Sequence, residues 1–491
     1  MDPLGLMTGY EQGEAGVIIP YRHERATDFL RPGQAERVHA LALQILEKVG
    51  LAVSHREILE RATGSGIRVQ EGRAHFAPWA VEEFLDGYRK AVRAGDRAVQ
   101  AENPASELTL SVGVYAHHVH DLETDRIVPY TSEKLVMMTK LVDVLTQRGV
   151  RSPAPGYPLD VPPPLQPIAK YRIGALFSRH GAAPVDPISG ASVPYVMEMA
   201  EVLGHPLRRL PVYVFSPLRL AGESLEVVWQ YRERLEGLSV SNMPSLGGTA
   251  PIAPFAALAM AAAEVLGASL VLSRATGLPV RFGIGLHAFD LRFGTMVFGS
   301  PEAYLLGQLN AEINEFYSGQ RRERGQAAAG IHVRANFPGP QAAAEKAMLM
   351  TAGALIGARH FDGAGILAVD EVFSPEQLLI DVEIKDMVQR LLSGLDMSEN
   401  TWDWLAEIQE GAQRGFIGLE STLQRYREAY WHPLLFERSF LDESDPAPRE
   451  RILVRVRELV GRYIAQHEYE LDAERRREIE RIWKAAVQAF A

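Results

Sequence analysis

Six short apolar runs, at residues 182–185, 211–215, 238–243, 279–285, 330–335 and 363–369, are each followed by an amphipathic or apolar stretch of helical length. A chain that alternates strand and helix in this way builds a parallel sheet with right-handed crossovers. A strand around Leu110 and an irregular one at 151–158 bring the number to eight, and no turn carries the glycine fingerprint of an open dinucleotide-binding sheet. The rhythm therefore predicts an α/β fold of TIM type, a (β/α)8 barrel over residues 108–400. An N-terminal arm and helical region at 1–107 precede it. A C-terminal helical region at 401–491, highly charged from 449 onward, is expected to pack on the barrel.

Outside the repeat, helices are expected at 34–49, 58–62, 78–91 and 132–145, a strand at 108–120, and a hairpin through Asp121-Leu-Glu-Thr-Asp-Arg126. Within it, Met243-Pro-Ser-Leu-Gly-Gly-Thr-Ala-Pro-Ile-Ala-Pro-Phe255 joins a brief strand to a long apolar helix at 255–272. Gly247 and Gly248 permit positive φ or close backbone approach, while Thr249, Pro251 and Pro254 are residues that start and stiffen helices. The expectation is a pocket mouth lined by exposed backbone N–H groups. A ligand-free βα turn accounts for the same residues equally well.

The formal net charge of −11 argues against nucleic acid as a partner. Cysteine is absent, so there is no disulfide, thiolate ligand or catalytic thiol. The first thirty residues carry charges throughout instead of a signal-type apolar core, and no uninterrupted apolar run reaches about 18 residues. The chain reads as cytoplasmic, with no membrane association. The arm and the charged tail suit a homo-oligomer.

In a barrel, function gathers where the strands end. Those positions are Gly247, Gly248 and Thr249; His287, Phe289, Asp290 and Arg292; His332, Arg334, Asn336, Phe337 and Gln341; and Asp370 with Glu371. His287 shares its strand end with an aspartate and an arginine, which favours a polar site, although Asp290 and Arg292 could pair with each other. Asp381 and Glu383 read as flanking the start of a helix. His118 and His120 would share one face of a strand with His117 on the other, and Asp121 is the only acid beside them, so no metal site is expected.

Several stretches together carry a family resemblance: Gly248-Thr-Ala-Pro-Ile, Ala263-Glu264-Val-Leu, Gly277-Leu-Pro-Val-Arg-Phe-Gly, Phe298-Gly-Ser-Pro-Glu302, Gln341-Ala-Ala-Ala-Glu-Lys346 and Ser374-Pro-Glu-Gln-Leu-Leu-Ile-Asp-Val-Glu-Ile384. With Ile45-Leu-Glu-Lys-Val-Gly-Leu and Asp121-Leu-Glu-Thr-Asp-Arg, in order from about 34 to 439, the chain resembles the trimethylamine methyltransferase (MttB-like) family. It departs from the family after the strand near Gly330, where Ile331-His-Val-Arg-Ala-Asn-Phe337 replaces a Ser-Asp-Ala-Lys-like run, and in the charged Gln320-Arg-Arg-Glu-Arg324.

The resemblance implies a barrel that moves a methyl group from a methylated amine to the Co(I) corrinoid of a separate protein. No cofactor is then held permanently by this chain. Only standard residues are present, which implies the branch without pyrrolysine and a quaternary amine as donor. A quaternary nitrogen is already a cationic leaving group, so the protein need only hold donor and cobalt in line. On this reading His287, Asp290 and Arg334 are the catalytic candidates, and the other strand-end residues bind substrate. Phe289, Phe337, Phe361 and Tyr115 with Asp290 or Asp370 would cage the cation, and Arg334 or Arg292 would hold a substrate carboxylate. Two other readings stand beside it: a metal-dependent barrel hydrolase or lyase using His287, Asp290 and His332, and a non-catalytic quaternary-amine-binding relative.

Overall fold

Alternate residues along the inner strands face two different surroundings, and this alternation locates the sheet. The computed structural model describes residues 18–19, 29–99, 107–182, 190–320, 328–396, 403–438, 440 and 451–490. Its inner strands are β1 (Thr109–Val112), β2 (Arg209–Val214), β3 (Gly237–Asn242), β4 (Val280–Gly283), β5 (Ala328–Gly330) and β6 (His360–Ala364). β2, β3 and β4 form one parallel arc. β5, β6 and β1 form a second, extended by a parallel bridge from Leu110 to Val150. Helix Ser132–Val144 follows β1, helices Gln166–Phe177 and Val193–Val202 lie between β1 and β2, and helices Glu223–Tyr231, Pro254–Thr276, Pro301–Ser318, Pro340–Leu355 and Pro375–Leu392 follow β2 to β6 in order. That succession is the TIM-type arrangement.

Residues facing the helices are apolar and sealed: Leu110, Leu210, Val212, Leu238, Val240 and Phe361 are buried. Their neighbours in sequence, Ser111, Tyr213, Ser239, Ser241, Arg281, His360 and Asp362, point the other way and stay at least partly exposed. The lumen is therefore polar and open to solvent, not filled by a plug of aliphatic side chains.

Several expected elements differ. Residues 151–158 form no ladder strand; the amides of Arg151 and Tyr157 instead donate to the carbonyls of Leu110 and Ala116, carrying the chain alongside β1. Of the run 182–185, residues from 183 on lie outside the described set, as does the charged segment 321–327. The strand expected at 330–335 leaves its ladder at Gly330, opposite Asp362, where β6 begins to slip register against β1. The run expected at 363–369 begins earlier, at His360. The single strand expected at 108–120 is two, β1 and His118–Asp121, and the latter pairs with Arg126–Pro129 in the predicted hairpin.

The front region is not purely helical. Strands Leu51–Val53, Ile67–Gln70 and Arg73–Phe76 pair with one another and, through Leu51–Val53, with Arg219–Leu220 of the barrel. Helix Gln34–Lys48 presses Leu46 against Gly267 of helix Pro254–Thr276, so front region and barrel share one core. At the other end, Val456, Leu459 and Val460 of helix Arg451–Ala465 join the core around β1 and β6. Ile479, Ile482 and Ala486 of helix Ala473–Ala489 pack with Ile168 and Met199. Helix Pro254–Thr276 is apolar and long enough to cross a membrane, but 89% of its most apolar stretch is buried inside the protein. It is a core helix, and Glu264 interrupts its apolar run.

Candidate active site

At the carboxyl ends of the strands, a His332 imidazole lies between two carboxylates. Nδ1 is 2.6 Å from Asp370 Oδ1 and Nε2 is 3.4 Å from Asp362 Oδ2. Local folding fixes the ring. Past Gly330 the chain keeps its strand-like alternation, with Ile331, Val333 and Ala335 buried and His332 turned to the lumen. The amides of Ala368 and Val369 donate to the carbonyls of Ala335 and Val333, which brings Asp370 to the imidazole. A Cβ on Gly363, where φ is +95°, would stand 3.1 Å from the ring, and one on Gly330 would stand 2.9 Å from it, so backbone closes on it from both sides.

Burial alone would lower the pKa of His332, but Asp362 and Asp370 outweigh it and push the imidazole up to about 10. Burial would likewise raise Asp362, yet His332 and the Ser111 hydroxyl hold its carboxyl below the usual range. With both carboxylates ionised around one imidazolium, this corner of the lumen carries a net negative charge. Ser111 Oγ donates to Asp362 Oδ1 at 2.9 Å and lies 3.0 Å from His360 Nε2, and Thr109 Oγ1 is 2.9 Å from His360 Nδ1. Burial lowers His360, with Arg151 adding to the effect.

The Phe298 ring joins the two arcs, with its centroid 5.8 Å from that of His332 and 6.1 Å from that of His287. Burial, and the neighbouring His332, lower His287. Ser245 and His287 are partners in a short parallel pair that places the Gly247 loop beside His287. The loops carrying Gly247, His287, Arg334 and Asp370 thus share one rim. Around it, Tyr213, Phe215 and Met243 are 40%, 48% and 54% exposed at the ends of β2 and β3.

Other expected residues are engaged elsewhere. Gly247 does adopt positive φ, at +75°. The expected exposed amides are nevertheless absent from the loop: those of Gly247, Gly248, Thr249 and Ala250 all donate within it, and Thr249 Oγ1 accepts from Ser245. Phe289 lies against Gly248. Asp290 is folded back on Arg292, with contacts of 2.6 and 3.0 Å, so His287, Asp290 and His332 do not converge as a ligand set. Among the described residues no three His or carboxylate side chains are placed to hold one metal ion. Arg334 donates to Asn336 and Gln341 to Glu345. Phe337 is exposed and meets the edge of His120, Glu371 stands 3.9 Å from His117, and Phe361 is wholly buried in the helix layer and faces no cage.

Sequence reasoning missed Asp362, Phe298, Ser111 and His360. The signal for Asp362 and His360 was the alternation His360-Phe-Asp-Gly363, which begins before the run taken as the strand. It also missed what the family-like stretches do. Glu264 accepts from Ser216, the Leu218 amide and Asn242, and Asn242 accepts from the Gly285 amide, which ties together the ends of β2, β3 and β4. Glu345 accepts from the amides of Arg334 and Ala335. Lys346 and Asp381 brace the bend at Gly363 and Gly365. Asp381 and Glu383 lie inside helix Pro375–Leu392, both buried, and do not flank its start.

A TIM-type α/β barrel with a polar lumen and an acidic, aromatic-edged rim is the class these features define. The chain belongs to the trimethylamine methyltransferase (MTTB) family, whose model matches residues 10–167 and 195–484. Trimethylamine methyltransferase MttB of Methanosarcina barkeri is 28% identical over 318 residues, 62% of this chain and 63% of that protein, so the match spans under two thirds of that relative. The glycine betaine methyltransferase of Desulfitobacterium hafniense is 23% identical over 462 residues, 89% of this chain and 93% of its own. The solved monomethylamine methyltransferase MtmB of Methanosarcina barkeri aligns over 93% of this chain and 86% of its own at 11% identity, with a TM-score of 0.41.

Proposed function

We propose that this protein transfers a methyl group from a methylated, cationic amine, by preference a quaternary one, to the reduced corrinoid of a separate protein. The observation that carries the reading is the net negative corner made by Asp362, Asp370 and His332, edged by the Phe298 ring. A small organic cation finds there the opposite charge and an aromatic ring beside it, whose face attracts positive charge. Asp362 holds the positive nitrogen, and the rigid His332 and Phe298 set its orientation. The uncovered side chains of Tyr213, Phe215 and Met243 leave the mouth accessible to a flat macrocycle brought by a partner. When docked, the corrinoid supplies the nucleophile that accepts the methyl group. A cytoplasmic, homo-oligomeric enzyme is part of the same proposal.

The test mixes the purified protein with a reduced corrinoid protein and a panel of methylated amines while the Co(I) spectrum is followed. Loss of the Co(I) bands with a quaternary amine is the expected result. Saturable amine binding without any spectral change would make the protein a binding relative and overturn the reading.

A further inference from the structure

The two nitrogens of His332 are held unequally, Nδ1 at 2.6 Å from one carboxylate and Nε2 at 3.4 Å from another. The 2.6 Å contact between Nδ1 and Asp370 is a short, charge-assisted hydrogen bond. The 3.4 Å contact between Nε2 and Asp362 is longer and weaker, so the Nε2 proton is the one more readily passed to a ligand in the lumen. The backbone at Gly330 and Gly363 keeps the ring from swinging away. The far oxygen of Asp362 continues through Ser111 and His360 to Thr109, a hydrogen-bonded chain along the lumen wall.

Resting on the methyl-transfer reading above, we infer that His332 is the proton donor to the amine formed when the methyl group leaves. Breaking the C–N bond of a quaternary ammonium leaves both bonding electrons on nitrogen, while the methyl group goes to the corrinoid nucleophile. That electron pair takes the proton from Nε2, and the product becomes an ammonium that cannot take the methyl group back until it loses the proton. His332 is left as neutral imidazole. Lumen water restores its proton, with Ser111 and His360 continuing the path from Asp362. The charged and titratable groups facing His332 are Asp362 on β6, Asp370 at the rim turn and His287 across Phe298, with Arg334 next but one along its own segment. The two carboxylates keep the imidazole protonated at the start of each cycle.

The test uses the full chain with 15N-labelled histidine at pH 8 and no methyl acceptor, the His332 resonance being assigned by its loss in His332→Gln. Saturating tetramethylammonium should leave His332 as imidazolium. Saturating trimethylamine, which arrives protonated, should convert it to neutral imidazole sharing the ammonium proton. An imidazolium retained with both probes overturns the inference whether or not methyl transfer occurs, whereas binding of neither probe overturns the cation site and the inference together. With a reduced corrinoid protein, His332→Gln should lose on the order of a hundredfold more in steady-state turnover than in its first turnover, and added imidazole should restore part of the steady-state loss. Equal losses in both phases would make His332 a positioning residue only.

Discussion

Lys346 Nζ lies 2.8 Å from Asp381 Oδ2, and both side chains are wholly buried behind the bend that presents Asp362 to the lumen. The ammonium also donates to the Gly363 carbonyl, and Asp381 accepts from the Gly365 amide and the Gln377 side chain. Burial raises the Asp381 carboxyl, with Lys346, Gln377 and Gly365 pulling against that rise. Removing one partner leaves an uncompensated charge in the interior, which costs about 3–5 kcal/mol. Lys346→Met should therefore lower the denaturation midpoint strongly, while Lys346→Met combined with Asp381→Leu should recover most of the loss. A double variant no more stable than the single one would show that the pair is not the source of the effect.

The His332 environment predicts a pH dependence of stability. The folded-state pKa of the imidazole is about 10, above its ordinary value, so the folded protein binds the proton more tightly than the unfolded chain does. The stabilisation is then fully present below about pH 6.5, the unfolded value, and is lost as pH rises through about 10. Comparing melting temperatures of the protein and His332→Gln between pH 6 and pH 11 isolates this contribution. The gap between the two should be widest at the acid end and close in alkali; a gap constant across the range would contradict the assignment.

The barrel was legible because its helices are long and its strand-to-helix rhythm repeats. Helices expected at 132–145 and 255–272 are found at Ser132–Val144 and Pro254–Thr276. The strand ends were less legible, and they are what the site depends on. Alternation along 330–335 is real, yet the ladder stops at Gly330, and pairing depends on a neighbour that local sequence does not reveal. His332 and Asp370 were recognisable as polar residues at strand ends, but their contact joins residues 38 apart through a turn with Ala368, Val369 and Asp370 at positive φ, which local sequence does not announce. Asp290 and Arg292 illustrate the reverse case. Two residues apart and oppositely charged, they satisfied each other locally, the alternative already open on the sequence.

Gly363 should be the most sensitive backbone position of the site. With φ at +95° a side chain is strained there, and a new Cβ would press on the His332 ring at 3.1 Å. A left-handed conformation costs an L-residue roughly 1–2 kcal/mol. Gly363→Ala should remain folded, with a melting temperature lowered by a few degrees, while tetramethylammonium binding measured by calorimetry falls disproportionately. A variant whose affinity is unchanged would show that the ring position does not matter for the cation.

The same calorimetric titration separates the two acidic positions at the rim. Asp362 is held in its charged form by His332 and Ser111 and faces the lumen, so Asp362→Asn removes the net negative charge of the corner. A unit charge acting at contact distance through partly screened surroundings supports a loss of about tenfold or more in affinity, equivalent to about 1.4 kcal/mol. Asp290, by contrast, is lowered by the adjacent Arg292 in a solvent-exposed turn and already has its partner. Asp290→Asn and Arg292→Ala should leave tetramethylammonium affinity where it is. A larger effect at Asp290 than at Asp362 would move the cation site out of the lumen and onto the turn at Asp290 and Arg292, and with it the geometry on which methyl transfer is proposed.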